Sequence, residues 1–155
     1  MMCENGYNNV FLNEVHCMEF TKQEVFLMDG GFDELGIDKT RLCSFLGYPQ
    51  NLAFVALYHG EMCGFAYGYS LMSLNALPQL FVYAFDVLSR FQNKGIGSKL
   101  FQYIVDYSRD NGFSECFVIT DKGNKRACRI YQKAGGVNDF EDEIVYVIKH
   151  NRHHA

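Results

Sequence analysis

Apolar residues follow two different spacings along this chain, and together they predict a mixture of strands and helices. Continuous or alternating apolar runs predict strands at residues 10–20, 52–58, 63–71, 80–88, 115–120 and 144–149. Apolar residues three and four apart predict helices at residues 95–111 and 124–134. Start and stop signals predict two shorter helices, from Thr21 to Gly30-Gly31 and from Asp38 or Thr40 to Leu46.

The order of these elements predicts an α/β fold of the mixed α+β type. We expect a central, mostly antiparallel sheet with one parallel βαβ step, flanked by helices. The chain has 155 residues, of which 48% are hydrophobic, enough for one domain over residues 1–155 with a single core.

The net charge and the cysteine content indicate which partners and which cellular compartment to expect. The net charge of −4 does not favour nucleic acid, and no run is apolar enough to span a membrane. The N-terminus lacks the pattern of a secretory signal, and the six cysteines are scattered without metal-ligand spacing. We therefore expect a cytoplasmic protein with reduced thiols and no metal site. Its acidic clusters are either ordinary solvated surface or a field that attracts a cationic substrate.

The most informative segment is the glycine-containing turn at residues 92–98. It follows a predicted strand and opens a predicted helix, so its backbone N–H groups and the positive end of the helix dipole would face outward. Such a turn binds anions, most often phosphate. The spacing of Gly95 and Gly97 does not match a dinucleotide fingerprint, because no third glycine follows, or the loop that binds nucleoside triphosphates.

The pattern Gln92-x-x-Gly95-x-Gly97 resembles the acyl-coenzyme A pyrophosphate loop of the GCN5-related N-acetyltransferase (GNAT) superfamily. A second segment, Asn124-x-x-Ala127-x-x-Ile130-Tyr131-x-Lys133-x-Gly135, resembles another motif of that superfamily. Residues 54–57, 64–66, 81–87 and 121–123 look most similar to the aminoglycoside 3-N-acetyltransferase branch. The chain departs from that branch at Lys125-Arg126, where acidic residues and a proline are usual.

The resemblance covers residues 51–149 and implies a cofactor-binding core there. A variable segment, residues 1–50, would precede the core, and a tail, residues 150–155, would follow it. The implied cofactor is acetyl-CoA (coenzyme A), whose acetyl group passes directly to a primary amine. The implied cofactor-binding residues are Phe85, Val87, Gln92, Asn93, Lys94, Gly95, Ile96, Gly97, Ser98, Asn124, Ala127 and Tyr131.

Two side chains are candidates for proton transfer. Tyr131 would donate a proton to the departing thiolate, unless it is a core tyrosine with a backbone partner. Asp86 lies in an apolar strand, where burial would make it a stronger base; alternatively, it caps the following turn, or ordered water carries the proton. Strand alternation predicts that Asp86 shares a face with Val82 and Ala84. The backbone N–H of Val87 is the expected oxyanion donor.

The substrate expected from the resemblance is a small cationic amine, in particular an aminoglycoside acetylated at its 3-N position. Carboxylates suited to such a substrate are Asp29, Asp33, Glu34, Asp121, Glu141, Asp142 and Glu143. Other superfamily substrates stay open, namely a polyamine, an amino acid or a protein amine. A non-catalytic acyl-CoA-binding module is a third possibility. A homodimer is common among such enzymes.

Overall fold

The computed structural model describes residues 11–28 and 30–152. The strands are β1 (Val15–Phe20), β2 (Asn51–Tyr58), β3 (Glu61–Leu71), β4 (Gln79–Val87) and β5 (Glu115–Val118). The α-helices with assigned bounds are α1 (Lys39–Leu46), α2 (Ile96–Asp110) and α3 (Lys125–Lys133). A single 3₁₀ turn, Ser89–Phe91, connects β4 to the glycine-containing turn.

The five strands form one sheet in sequence order, β1-β2-β3-β4-β5. The first four pair antiparallel, and β5 pairs parallel to β4, with α2 as the crossover between them. The predicted mixed α+β fold, with its mostly antiparallel sheet and one parallel βαβ step, is therefore confirmed.

The two faces of the sheet carry different helices. On the first face, α2 buries the apolar side chains Ile96, Leu100 and Ile104, which recur at helical spacing. On the second face, α1 packs its Phe45 ring against Tyr67 of β3, with ring centroids 5.3 Å apart. We call these the α2 face and the α1 face. Residues directly opposite each other on antiparallel strands share a face, so the register assigns each strand residue to one of the two.

An extra residue in β4 shifts this alternation. Tyr67 lies opposite Ala84, but Gly68 lies opposite Val82, so Tyr83 has no opposite residue and forms a β-bulge. Gly68 permits the close approach of the strands, because a Cβ atom there would lie 2.0 Å from the carbonyl oxygen of Phe81. The bulge decides which β4 side chains reach the candidate site.

Two predicted elements are wrong. Residues 22–27 form turns in place of the helix expected after Thr21. The Thr21 hydroxyl donates to the Glu24 carboxylate, and the backbone bonds that follow join residues three apart, so the few residues before Gly30 never propagate an α-helix.

The strand expected at residues 144–149 is also wrong. These residues have no regular structure, and Ile144, Tyr146 and Ile148 are more than 70% exposed. A β-prone sequence becomes a strand only beside a pairing partner, and the structure pairs β5 with β4 alone.

Among the described residues, none of the helices combines the length and apolar character needed to cross a membrane. The described cysteines Cys17, Cys43, Cys63, Cys116 and Cys128 are all free thiols. Burial raises the pKa of Cys17, Cys63 and Cys116 to about 11, which keeps these thiols protonated and unreactive.

Candidate active site

A cleft of about 980 Å³ opens where the two parallel strands separate. β4 and β5 pair only from Gln79 to Val82 on β4 and from Glu115 to Val118 on β5. Beyond that point, residues 83–87 of β4 have no strand partner on the β5 side in the described part of the chain. Their backbone groups on this edge can therefore bind an extended, amide-containing ligand as an added strand would.

The glycine-containing turn forms a second, smaller cavity of about 130 Å³ beside this cleft. The residues of the turn that line it are Gln92, Asn93, Gly95, Ile96, Gly97 and Ser98. Gly95 caps α2 with a φ of 85°, and Asn93 also has a positive φ, of 62°. In the described chain, no group accepts a hydrogen bond from the first amides of α2, at residues 96–98. The turn therefore offers free N–H donors at a helix N-terminus, the usual geometry for phosphate.

Close helix packing holds this turn against α3. Gly97 is buried, and a Cβ atom there would lie 2.7 Å from Cδ1 of Ile130. The Gln92 side chain donates to the carbonyl oxygen of Val87 over 2.9 Å and accepts from Arg126 at the start of α3. Gln92 thus joins the end of β4, the turn and α3.

Arg126 is a residue that sequence reasoning missed as a binding residue. It lines both cavities and is the charged residue among those lining the smaller one. A cation in the first turn of a helix opposes the helix dipole, so this position is unfavourable unless an anion lies beside it. That conflict was the available sequence signal, since Lys125 and Arg126 lie in the first turn of the helix predicted at residues 124–134.

Tyr131 lines the large cleft next to α2 and β4. Its ring packs against Phe101 of α2, at 4.7 Å between centroids, and against Phe85 of β4, at 6.1 Å. Burial, with a smaller contribution from Cys128, raises the pKa of the Tyr131 phenol above its ordinary value. The hydroxyl therefore keeps its proton throughout the neutral range, as a proton donor must.

Asp86 also lines the cleft but is exposed, so the burial expected from its apolar strand does not occur. Its carboxylate accepts a hydrogen bond of 2.9 Å from the Val87 N–H, the expected oxyanion donor. The predicted shared face with Val82 is wrong because the bulge reverses the alternation. Asp86 instead lies opposite Phe65, on the α1 face together with Ala84.

The other predicted cofactor-binding residues differ in whether they line a cavity. Phe85, Val87, Asn124 and Ala127 line the large cleft. The Asn124 side chain caps α3 by accepting from the Ala127 N–H over 3.2 Å. Lys94 lines neither cavity; its ammonium group lies 5.2 Å from the centroid of the Phe11 ring.

The predicted acidic residues are not brought together at the cleft. Asp29 lies outside the described residues, and Glu34 is bound to Arg90 on the surface. The remaining residues of this group are exposed and do not line either cavity: Asp33, Asp121, Glu141, Asp142 and Glu143. The carboxylates that do line the large cleft are Asp38 and Asp86.

The part of the cleft on the α1 face is aromatic. Five rings line it. One of them, Phe65, is buried and packs against Phe20 and Phe32. We call the other four the aromatic wall: Phe45, Tyr67, Tyr69 and Tyr83. Burial and the neighbouring hydroxyls of Tyr69 and Tyr83 raise the pKa of Tyr67, so the Tyr67 hydroxyl stays uncharged at neutral pH. Sequence reasoning missed this wall, although Tyr67 and Tyr69 have the spacing of two side chains on one strand face.

The sequence matches the profile of the Acetyltransferase (GNAT) family over residues 14–136, well over half of the chain. None of the curated protein sequences matches it.

Solved structures with the same fold include three acetyltransferases. An aminoglycoside acetyltransferase, meta-AAC0020, from an uncultured soil metagenomic sample in complex with sisomicin superposes with a TM-score of 0.75 at 21% identity, covering 90% of this chain and 99% of that one. For AAC(6')-Iy in complex with the bisubstrate analog CoA-S-monomethyl-acetylneamine, the TM-score is 0.66 at 17% identity, covering 88% and 98%. For the ribosomal-protein-alanine N-acetyltransferase of Brucella melitensis biovar Abortus 2308, the TM-score is 0.68 at 16% identity, covering 86% and 99%.

The family match and the site agree with each other. The match includes the turn at residues 92–98, the open edge of β4 and the start of α3, which are the parts of the site suited to a phosphorylated, amide-containing cofactor. The chain therefore belongs to the Acetyltransferase (GNAT) family and is an acetyl-CoA-dependent N-acetyltransferase.

Proposed function

We propose that this enzyme acetylates a primary amine of a small cationic substrate, and that an aminoglycoside is the first substrate to test. Neighbours of the same fold that carry aminoglycoside ligands support this proposal. The resemblance of residues 81–87 and 121–123 to the 3-N-acetyltransferase branch supports the 3-N position. We assign the reaction to the cytoplasm, consistent with the free thiols described above.

The proposal rests on two neighbouring backbone segments with hydrogen-bonding groups that have no backbone partner among the described residues. The amides at residues 96–98 would hold the diphosphate of acetyl-CoA, and Arg126 would supply a compensating positive charge. The open edge of β4 at residues 83–87 would bind the amide groups of the pantetheine arm. The two surfaces meet at Val87 and Gln92, which line both cavities.

When bound, acetyl-CoA supplies an acetyl group already activated as a thioester, so the chain needs no covalent nucleophile. Asp86, or water held by it, would take a proton from the substrate's ammonium group, so that the neutral amine could attack the thioester carbonyl. Because Asp86 accepts from the Val87 N–H in this structure, turning its carboxylate toward the amine would free that N–H for the oxyanion. Tyr131 would give its proton to the thiolate as the carbon–sulfur bond breaks and the amide bond forms.

The test is a thiol-release assay with acetyl-CoA and a panel of amines. The panel contains sisomicin, a linear diamine, an amino acid and a peptide with a free N-terminus. Turnover of sisomicin, with mass spectrometry locating the acetyl group on the 3-amino nitrogen, is the expected result. Turnover confined to the other amines would reject the aminoglycoside, and cofactor binding without any turnover would reject catalysis.

A further inference from the structure

The aromatic wall is a continuous surface of rings in mutual contact. The centroid of the Phe45 ring lies 5.3 Å from that of Tyr67 and 5.5 Å from that of Tyr69. The centroid of the Tyr83 ring lies 5.7 Å from each of these two tyrosine centroids. Tyr83 is the extra residue of the β4 bulge and lies between Val82, opposite Gly68, and Ala84, opposite Tyr67. Its side chain is 59% exposed, so it presents much of its ring to the cleft and adds little to the core.

The wall and Asp86 lie on the same face of the sheet. Tyr67 is opposite Ala84, and the next residue of β4 on that face is Asp86. Two residues of strand separate Ala84 from Asp86 by about 6.6 Å. The small side chain of Ala84 leaves the space between the rings and the carboxylate open. A ring lying on the wall would therefore bring an amine on a short arm within reach of Asp86.

The charges around the wall do not suit a flexible chain with several ammonium groups. Asp38 is the second carboxylate of the cleft, but it caps α1 by accepting from the Arg41 N–H over 2.9 Å, and Arg41 also lines the cleft. Apart from Asp86, the part of the cleft on the α1 face therefore offers a substrate mainly aromatic faces. Such faces bind flat apolar ring surfaces by stacking and bind ammonium groups by cation–π contact.

We propose that the aromatic wall is the acceptor-binding surface and that it selects amines carried on a ring over linear amines. This inference rests on the proposed function, and it specifies the acceptor as a ring with one flat face whose ammonium group lies next to Asp86. The ring is either an amino sugar or the aromatic ring of an arylalkylamine. Linear polyamines lack the flat face, so cation–π contact is the one attraction that they share with ring-borne amines at the wall.

The test measures kcat and KM for sisomicin, phenethylamine and 1,4-diaminobutane. The variant Tyr83→Leu removes a ring but keeps apolar volume, and Tyr83→Phe keeps the ring. Tyr48→Leu is the matched control, because Tyr48 is 60% exposed and lies outside the cleft lining. We expect Tyr83→Leu to raise KM for the preferred ring-borne amine by about three- to tenfold, the size of one lost ring contact. Tyr83→Phe, which keeps the ring, should raise it less than Tyr83→Leu does, and the control Tyr48→Leu should leave it unchanged.

The two ring-borne amines distinguish the source of the ring. The lower wild-type KM identifies it as an amino sugar or an aromatic ring. Either result supports the proposal if Tyr83→Leu raises KM for that amine more than it raises KM for 1,4-diaminobutane. An equal rise in KM for 1,4-diaminobutane, or no rise for either ring-borne amine, would overturn the role of the wall. Turnover of 1,4-diaminobutane alone would also overturn it while leaving acetyl transfer intact. Absence of turnover with every amine would reject the proposed function itself.

Discussion

The substitution Arg126→Gln tests the assignment of the small cavity to the cofactor diphosphate. Arg126 is exposed, lines both cavities and donates a hydrogen bond to the Gln92 side chain. A charge-assisted hydrogen bond contributes about 1.5–3 kcal/mol. We expect the low end here, because the side chain is solvated and must exchange its bond to Gln92 for one to phosphate. The dissociation constant for acetyl-CoA should then rise about tenfold.

Isothermal titration calorimetry at two salt concentrations measures this effect. The matched control is Arg129→Gln, on the same helix, because Arg129 is exposed and lines neither cavity. The affinity of Arg126→Gln should also depend less on salt, since one phosphate contact is gone. Acetyl-pantetheine, which lacks the diphosphate, should bind both variants and the wild type alike. Equal acetyl-CoA affinities for the two variants would refute the assignment.

Two further substitutions test the proton donor and the bulge. Tyr131→Phe should lower kcat about 100-fold and leave acetyl-CoA affinity unchanged. Because burial raises the pKa of Tyr131 above that of an ordinary tyrosine, wild-type kcat should hold across the neutral range and fall only in strongly alkaline solution, where the phenol loses its proton, and the variant should lack that fall. Full activity of Tyr131→Phe would reduce Tyr131 to a packing role. Gly68→Ala should destabilise the fold by about 1–3 kcal/mol, because its Cβ would lie 2.0 Å from the Phe81 oxygen. A thermal melt should show a fall of about 2–4 °C per kcal/mol, and an unchanged Tm would contradict the bulge geometry.

The fold could be predicted from sequence wherever local pattern and tertiary context agree. The strand–turn–helix from β4 to α2 follows from an apolar run, a glycine turn and helical spacing, and the structure has it at residues 79–110. The strand predicted at residues 144–149 does not form, because strand formation depends on a pairing partner that the sequence does not identify. The helix predicted after Thr21 does not form at residues 22–27, because a capping signal can start a helix but cannot extend it through so short a segment.

The cofactor side of the site was easier to predict than the acceptor side. Amides and glycines at residues 92–98 act through the backbone and their position in the chain, which a local motif records. The aromatic wall joins α1, β3 and β4, and only tertiary structure brings these three elements together. The described residues of the predicted acidic set do not line either cavity, and a cluster in sequence does not indicate which side of the molecule it occupies.

The β4 bulge links these two sides of the site. With regular alternation, Val82, Ala84 and Asp86 would all lie on the α2 face, and the carboxylate would point into the core. The extra residue, Tyr83, instead turns Ala84 and Asp86 toward the aromatic wall, while Phe85 and Val87 lie opposite Ala66 and Gly64 on the α2 face. Phe85 there contacts Tyr131, the candidate proton donor. One inserted residue thus places Ala84 and Asp86 on the face proposed for the acceptor, and Phe85 and Val87 on the opposite face, beside the candidate proton donor.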